Sequence, residues 1–299
     1  MNTPIMENTF INTDSSKVPP SEITEQSEGY ERSSREAFTL HLADNALILA
    51  QRNTEWCGHG PVLEQDIAIT NISLDLVGQA RLFYQYAAQL INDSKNNIEG
   101  SKAPSPSGEG VGGEATEDSL AYLRTEREFK NCLLVELPNG DWAQTVLRQF
   151  FFSQFQILLF QQLRENKDEQ LAAIAIKTLK EVTYHLRWSS EWVIRLGDGT
   201  IESHNRMKKA IDELWRYTGE MFIPVAYENE TGVDFNKIKE EWNKNVRSVF
   251  GEASLIPPLE GGEAVFMHTG GKKGIHTEHM GYLLAEMQYL QRTYPGSKW

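Results

Sequence analysis

Seven histidines could hold a metal or move a proton in this chain: His41, His59, His185, His204, His268, His276 and His279. A two-metal carboxylate centre in a helical bundle takes one Glu from each of two helices and a Glu-x-x-His pair from each of two others. The spacing has a physical basis. Residues three apart share one side of a helix, so the carboxylate bridges both metals while the imidazole caps one of them. The residues three places before the histidines are Phe38, Trp56, Val182, Ile201, Val265, Lys273 and His276. Neither Glu-x-x-His nor Asp-x-x-His occurs.

Two segments come nearest to that pattern: Glu181 with Tyr184 and His185, and Asp75 with Gly78 and Gln79. Glu181 has a plain alternative as the i,i+4 surface partner of Lys177, and His185 as a hydrogen-bonded core histidine. Asn71, Asp75 and Gln79 form a polar stripe at helical spacing. It reads either as an internal hydrogen-bond network left where metals would sit in an active relative, or as a solvated helix face. Asn71, Asp75, Gln79, Glu181 and His185 are therefore the candidate vestigial site or core network, and no metal is expected in this chain.

Other chemistry is thinner. Cys57-x-His59 is half of a zinc site at most, because a structural zinc needs four ligands. His276, Glu278 and His279 follow a Gly270-Gly271-Lys272-Lys273-Gly274 loop, which lacks the Walker spacing and a preceding strand. A tight turn or a contact with a neighbouring protein chain is the expectation there.

The elements that would position these groups are helices. An apolar face through Phe38, Leu42, Ala46 and Leu49 predicts a helix over 37–56, ended by Gly58 and Pro61. Three- and four-residue steps from Ile69 to Leu90 predict a second over 64–91, roughly 40 Å long at ~1.5 Å per residue. A short helix over 120–134 follows. Asp141 is placed to cap a third long helix to about 165, apolar on most sides and therefore central. A fourth runs over 168–196, with further helices over 206–222, 235–249 and 277–293. The second and third long helices are separated, and one long crossover between them gives ferritin-like connectivity. The fold class is all-α, a ferritin-like bundle with added C-terminal helices.

Composition bounds the rest. The formal charge of −13 is concentrated at the periphery: residues 1–36 carry seven acidic and three basic side chains, and residues 92–119 six and two. The first stretch reads as a disordered acidic extension, the second as a flexible Ser/Gly/Pro insertion, and 37–299 as a single domain around it. No basic footprint accompanies a nucleic-acid-reading motif. The most apolar run, Phe150 to Phe160, is interrupted by Ser153, Gln154 and Gln156 and is too short to cross a bilayer. With two cysteines and no apolar signal core, a reducing cytoplasm is expected.

The chain resembles the non-catalytic, ferritin-like C-component family of bacterial phenylacetyl-CoA ring epoxidases. The resemblance is carried by Asp44-Asn45 to Gly58-His59, Asp66-Ile67-Ala68 to Asn71, and Leu74-Asp75-Leu76-Val77-Gly78-Gln79-Ala80-Arg81. It continues through Glu126-Arg127-Glu128-Phe129, Leu134-Val135-Glu136 with Pro138-Asn139-Gly140, Lys180-Glu181 with Tyr184-His185-Leu186-Arg187, and Gly197 with Gly199-Thr200. It ends on Thr269 to Gly274, His276-Thr277-Glu278-His279 and Leu284 to Arg292.

It implies a structural subunit paired with a homologous A subunit that is catalytic and holds a di-iron centre. The assembly epoxidises the ring of phenylacetyl-CoA in aerobic phenylacetate degradation, with dioxygen and with NADPH electrons passed through a flavin and iron-sulfur reductase subunit. It also implies that this component borders the opening for the CoA tail, here at Glu128, Phe129, Lys130 and Asn131 and at Val225, Ala226 and Tyr227. Two rivals stand beside it: a self-sufficient di-iron oxygenase and a metal-free helical binding module.

Overall fold

The computed structural model describes residues 33–99, 113–258 and 266–297. Four long helices make the frame: α1 (Ser34–Thr54), α2 (Leu63–Glu99), α5 (Trp142–Leu163) and α6 (Glu169–Gly197). Between α2 and α5 lie α3 (Glu117–Tyr122) and α4 (Leu133–Glu136). After α6 come α7 (Ile201–Leu214), α8 (Phe235–Glu252), α9 (Glu278–Met287) and α10 (Tyr289–Thr293). Among the described residues there is no strand, and no helix is long and apolar enough to cross a membrane.

The pairing of residues sets the helix directions. On α2, Gln65 meets Trp188 and Trp192, Asp75 meets His185, and Gln79 meets Glu181. Ascending numbers on α2 meet descending numbers on α6, so the two are antiparallel. Asn53 with Gln149, and Trp56 with Thr145, show the same for α1 and α5. With α1–α2 and α5–α6 each folded back by a short connection, α2 and α5 run the same way. The chain between them must therefore return along the bundle, which is the long crossover of a ferritin-like fold.

Several expected boundaries move. The first helix begins inside the stretch expected to be an extension, because Ser33 and Glu36 close a reciprocal capping box; residues 1–32 lie outside the described set. α2 runs eight residues past the predicted end, to Glu99, so the insertion is shorter than 92–119. Its near edge is tied down by Asn92, whose side chain exchanges two hydrogen bonds with the backbone of Ala115, and α3 begins at Glu117. Residues 100–112 lie outside the described set.

The single helix predicted over 120–134 breaks into α3, a 3-10 turn at Glu126–Glu128, and α4. The physical reason is competition for backbone groups. Lys130 N donates to Asp44 Oδ2 at 2.7 Å and Cys132 N to Asn45 Oδ1 at 2.8 Å, so the amides serve α1 instead of their own helix. α7 starts earlier than predicted because Thr200 caps it, and 3-10 turns replace its last two turns. The last predicted helix is divided at Gln288, whose buried side chain donates to the Arg124 carbonyl.

α5 lies at the centre. Phe150, Phe151, Phe152, Phe155 and Phe160 are each no more than 2% exposed, and Trp242 and Phe250 of α8 pack on them. Burying aromatics of this size, at about 25 cal/mol per Å² of apolar surface, is the main driving force that closes α7 and α8 over the bundle.

Candidate functional site

The two nearest approximations to a metal motif meet across the α2–α6 interface. His185 is fully buried, and its Nε2 stands 3.0 Å from Asp75 Oδ2. One turn along, Gln79 Nε2 donates to Glu181 Oε2 at 3.0 Å. Burial raises the Glu181 carboxyl above the ordinary range, and the Asp75 charge adds to that against the Gln79 hydrogen bond. The hydrogen-bond partner of Glu181 is thus Gln79 across the interface, while Lys177 on its own helix acts on it through charge. Asn71 does not join this group; it is exposed on the outer face of α2. Gln79 Oε1 and His185 Nδ1 are buried without a hydrogen-bond partner among the described residues.

A two-metal centre does not fit this donor set. Each helix brings one carboxylate, each already engaged by the opposite helix, and the place of a second imidazole on α2 is taken by the amide of Gln79. On the α1–α5 side the interior holds amides, a hydroxyl and a guanidinium: Asn53 donates to Gln149 at 2.7 Å, Gln149 to Ser153 at 2.8 Å, and the buried Arg148 donates to Asn53 Oδ1 at 3.4 Å. Among the described residues no group of three or more His, Cys, Asp or Glu stands close enough to share a metal ion.

The two segments expected near a CoA tail are brought together through His41. Lys130 O lies 2.6 Å from His41 Nδ1, and the His41 ring packs 5.9 Å from that of Tyr227. Tyr227 donates to Lys272 O at 3.0 Å and borders a cleft of about 490 Å³ shared with Phe38, Arg35, Lys167 and Leu171. Glu128 and Val225 are half-buried and Ala226 is exposed.

Phe129 and Asn131 correct the expectation. Phe129 is 0% exposed beneath the Arg124 guanidinium, 4.1 Å from its ring centre. Asn131, equally buried, donates to Glu136 at 2.8 Å. Both hold the crossover segment down and present no surface to a ligand.

Sequence reading missed a buried ionic cluster that joins the crossover to the C-terminal loop. Asp44 accepts from Arg124 and Tyr84, all three side chains being nearly inaccessible. Lys272 Nζ contacts both oxygens of Glu228 and the carbonyls of Met221 and Ile223. Glu220 accepts from Leu133 N and Gly270 N. Burial raises both the Glu220 and the Glu228 carboxyls. Buried away from water and close to Lys272, His41 is pushed down to about 3 and is neutral. The hydrogen-bonded partners lie 40 to 87 positions apart along the chain, a range at which no local spacing reveals them.

The remaining motifs resolve structurally. His276 faces inward: Nδ1 meets Glu136 Oε2 at 2.7 Å and Nε2 meets Phe129 O at 3.1 Å, while Glu278 is exposed. The Gly-rich loop is a 3-10 turn pressed on the crossover. A Cβ at Gly271 would stand 2.3 Å from Asn131 O, and one at Gly274 2.1 Å from Arg127 O. Its Lys272 side chain is paired with Glu228, and its Gly270 and Lys272 amides donate to the Glu220 carboxylate. His59 Nδ1 turns back to Cys57 O in an exposed bend.

A family model described as phenylacetic acid catabolic protein matches residues 8–299. The C component of 1,2-phenylacetyl-CoA epoxidase from Escherichia coli (strain K12) is 47% identical over 268 residues, covering 88% of this chain and 98% of that protein.

Proposed function

This chain belongs to the phenylacetic acid catabolic protein family, and from that premise we propose that it is the structural, non-catalytic subunit of a phenylacetyl-CoA-epoxidising oxygenase. The observation that carries the reading is the α2–α6 interface. There, Asp75, Gln79, Glu181 and His185 bond to one another in two pairs and leave no set of convergent donors. Oxygen activation in this class of chemistry is supplied by a metal centre, and this chain's own residues are committed to holding the bundle together.

In this reading a homologous catalytic subunit holds the di-iron centre, and a reductase subunit with flavin and an iron-sulfur cluster brings electrons from NADPH. The chain supports that catalytic subunit in the cytoplasm through an apolar contact of the size of an obligate interface, more than ~2,000 Å². Glu128, Lys130, Val225, Ala226 and Tyr227 lie towards the CoA tail. Replacing Lys130 by Ala would raise KM for phenylacetyl-CoA in the assembled enzyme while leaving kcat nearly unchanged; an unchanged KM would remove that residue from the substrate path.

Metal analysis of the isolated chain and of the co-expressed complex tests the main reading. The expected result is iron in the complex and none in the chain alone. About two irons per isolated protomer, with turnover once a reductase is added, would establish a self-sufficient di-iron oxygenase instead. A chain that stays monomeric in the presence of the catalytic subunit would establish an unrelated helical module.

A further inference from the structure

Arg148 is a buried guanidinium with no carboxylate bonded to it. It is 1% exposed, and its amino groups donate to neutral oxygens: the Leu137 carbonyl, Asn53 Oδ1 and Asn139 Oδ1. Its Nε is buried without a hydrogen-bond partner among the described residues. Burial, and after it the charge of Arg52, push the group down to about 9, with Glu55 offsetting this in part, so it is still charged at neutral pH. A charge kept out of water acts strongly on the few atoms it touches.

One of those atoms belongs to the single Asn-Gly pair of the chain, Asn139-Gly140. In an Asn-Gly pair the side-chain amide is readily attacked by the following backbone nitrogen, because glycine has no Cβ to obstruct the approach. The turn demands glycine here: its φ is +59°, and a Cβ would stand 1.3 Å from Gln144 Oε1, which accepts from Asp141 N at the start of α5. Gly140 is exposed, and its N–H makes no hydrogen bond among the described residues. The Asn139 amide, in contrast, is held at both ends. Nδ2 donates to Arg52 O at 2.6 Å and to Glu55 Oε2 at 3.0 Å, which turns Oδ1 towards the guanidinium. A free nucleophile thus follows a carbonyl whose oxygen is bonded to a cation, and that oxygen is where negative charge gathers during attack.

We propose that Asn139 is a self-modification site, at which Arg148 directs conversion of the side-chain amide to a carboxylate. Gly140 N attacks Asn139 Cγ. The N–Cγ bond forms, the Cγ–Nδ2 bond breaks, and Nδ2 departs as ammonia with the proton that Gly140 N gives up. Water then opens the cyclic imide. Cleavage of its N–Cγ bond gives aspartate, and cleavage at the main-chain carbonyl carbon gives isoaspartate. Water is consumed, ammonia is released, and no electron is transferred. Arg148 holds the oxygen on Cγ, so it activates that carbonyl and favours aspartate. This outcome also keeps the main-chain oxygen of residue 139 in place, where it accepts from the Thr145 hydroxyl at 3.1 Å. The product carboxylate lies against Arg148 and supplies the counter-charge that the guanidinium lacks. The Glu55 side chain is 44% exposed and can turn from the new charge into solvent.

The test follows the full, folded chain by peptide mass mapping during incubation at mildly alkaline pH, with aspartate and isoaspartate peptides separated by chromatography. The peptide holding Asn139 should gain the mass difference between an amide and an acid, with aspartate several-fold over isoaspartate. The same chain unfolded in urea should give mostly isoaspartate, since no cation then distinguishes the two carbonyls. Arg148→Lys keeps a cation but loses the planar fork, and it should slow the folded conversion about tenfold or more and lower the aspartate share. Asn139→Gln should show no mass change, because its longer side chain closes a ring far more slowly. Asn139→Asp should melt at or above the temperature of the original chain. An Asn139 that stays unmodified in the folded chain while the unfolded chain converts overturns the proposal, and so does a majority of isoaspartate in the folded chain; neither result needs a variant. An unchanged rate and ratio in Arg148→Lys overturns the role of Arg148, and a lower melting temperature of Asn139→Asp overturns the counter-charge.

Discussion

Lys272 Nζ lies 3.0 Å from each carboxylate oxygen of Glu228, with both side chains only 1% exposed. The pair clamps the C-terminal loop to the segment between α7 and α8, and the ammonium also sits 5.1 Å from the centre of the Phe235 ring. Removing one partner strands a buried charge. Glu228→Ala or Lys272→Ala should each cost about 3–5 kcal/mol of unfolding free energy in urea titrations. The paired replacement Lys272→Met with Glu228→Leu should lose much less, since an apolar pair of similar volume leaves no charge without a partner. Equal losses in the single and paired variants would show that packing, not charge, is the issue.

His41 gives the fold a dependence on acid. In the folded chain its pKa is about 3, against 6.5 for an unperturbed imidazole. Between those values the unfolded chain takes up a proton that the folded chain refuses. Stability therefore falls as pH drops below 6.5, by up to about 1.4 kcal/mol per pH unit, and this contribution levels off near pH 3. Glu220 and Glu228, raised by burial, act in the opposite direction as they take up protons. The imidazole contribution is isolated by comparing urea midpoints of the chain and of His41→Gln from pH 7 to 4; the variant should show the flatter curve.

His276 works with the reverse sign. Burial disfavours its charge, but the Glu136 carboxylate and the Phe129 carbonyl outweigh this and raise its pKa above 6.5. Its stabilising contribution is fully present below pH 6.5 and is lost as pH rises through the folded value. His276→Gln should destabilise the chain more at pH 6 than at pH 9. The ring proton shifts of His276 should also titrate later than those of an unfolded peptide.

Asp44 accepts hydrogen bonds from Arg124, Tyr84 and the backbone of Lys130. Asp44→Ala should cost about 3–5 kcal/mol, because it leaves a buried guanidinium unpaired. The loss should register first in the crossover, as faster amide exchange at Lys130 and Cys132 than in α5.

His185→Ala opens a cavity between α2 and α6 and releases Asp75. A loss of about 2–4 kcal/mol is expected, by comparison with other large-to-small core changes. Iron content per assembled complex should stay unchanged. Iron lost from an otherwise intact complex would reassign the α2–α6 pairs as part of the metal-binding machinery.

The long helices were legible in the amino-acid order because a buried stripe recurs every three to four residues. The cap at Asp141 was legible too, since capping depends on neighbours in the chain. The absence of Glu-x-x-His is likewise a matter of spacing and needed no coordinates. Other features depended on partners far apart in the chain. The segment 120–134 has a helical pattern, yet its amides are taken by Asp44 and Asn45, more than 80 positions away. Phe129 and Asn131 were placed at a ligand-facing edge, and the Arg124 guanidinium and the Glu136 carboxylate hold them inside. Glu181 reads locally as a partner for Lys177, while the approach of α2 supplies Gln79 as its hydrogen-bond partner. Local order determined which segments are helical and which metal motif is missing, because both follow from the 3.6-residue turn. Only the tertiary structure decided which buried charges pair, because burial strengthens long-range electrostatics and the folded chain chooses the partners.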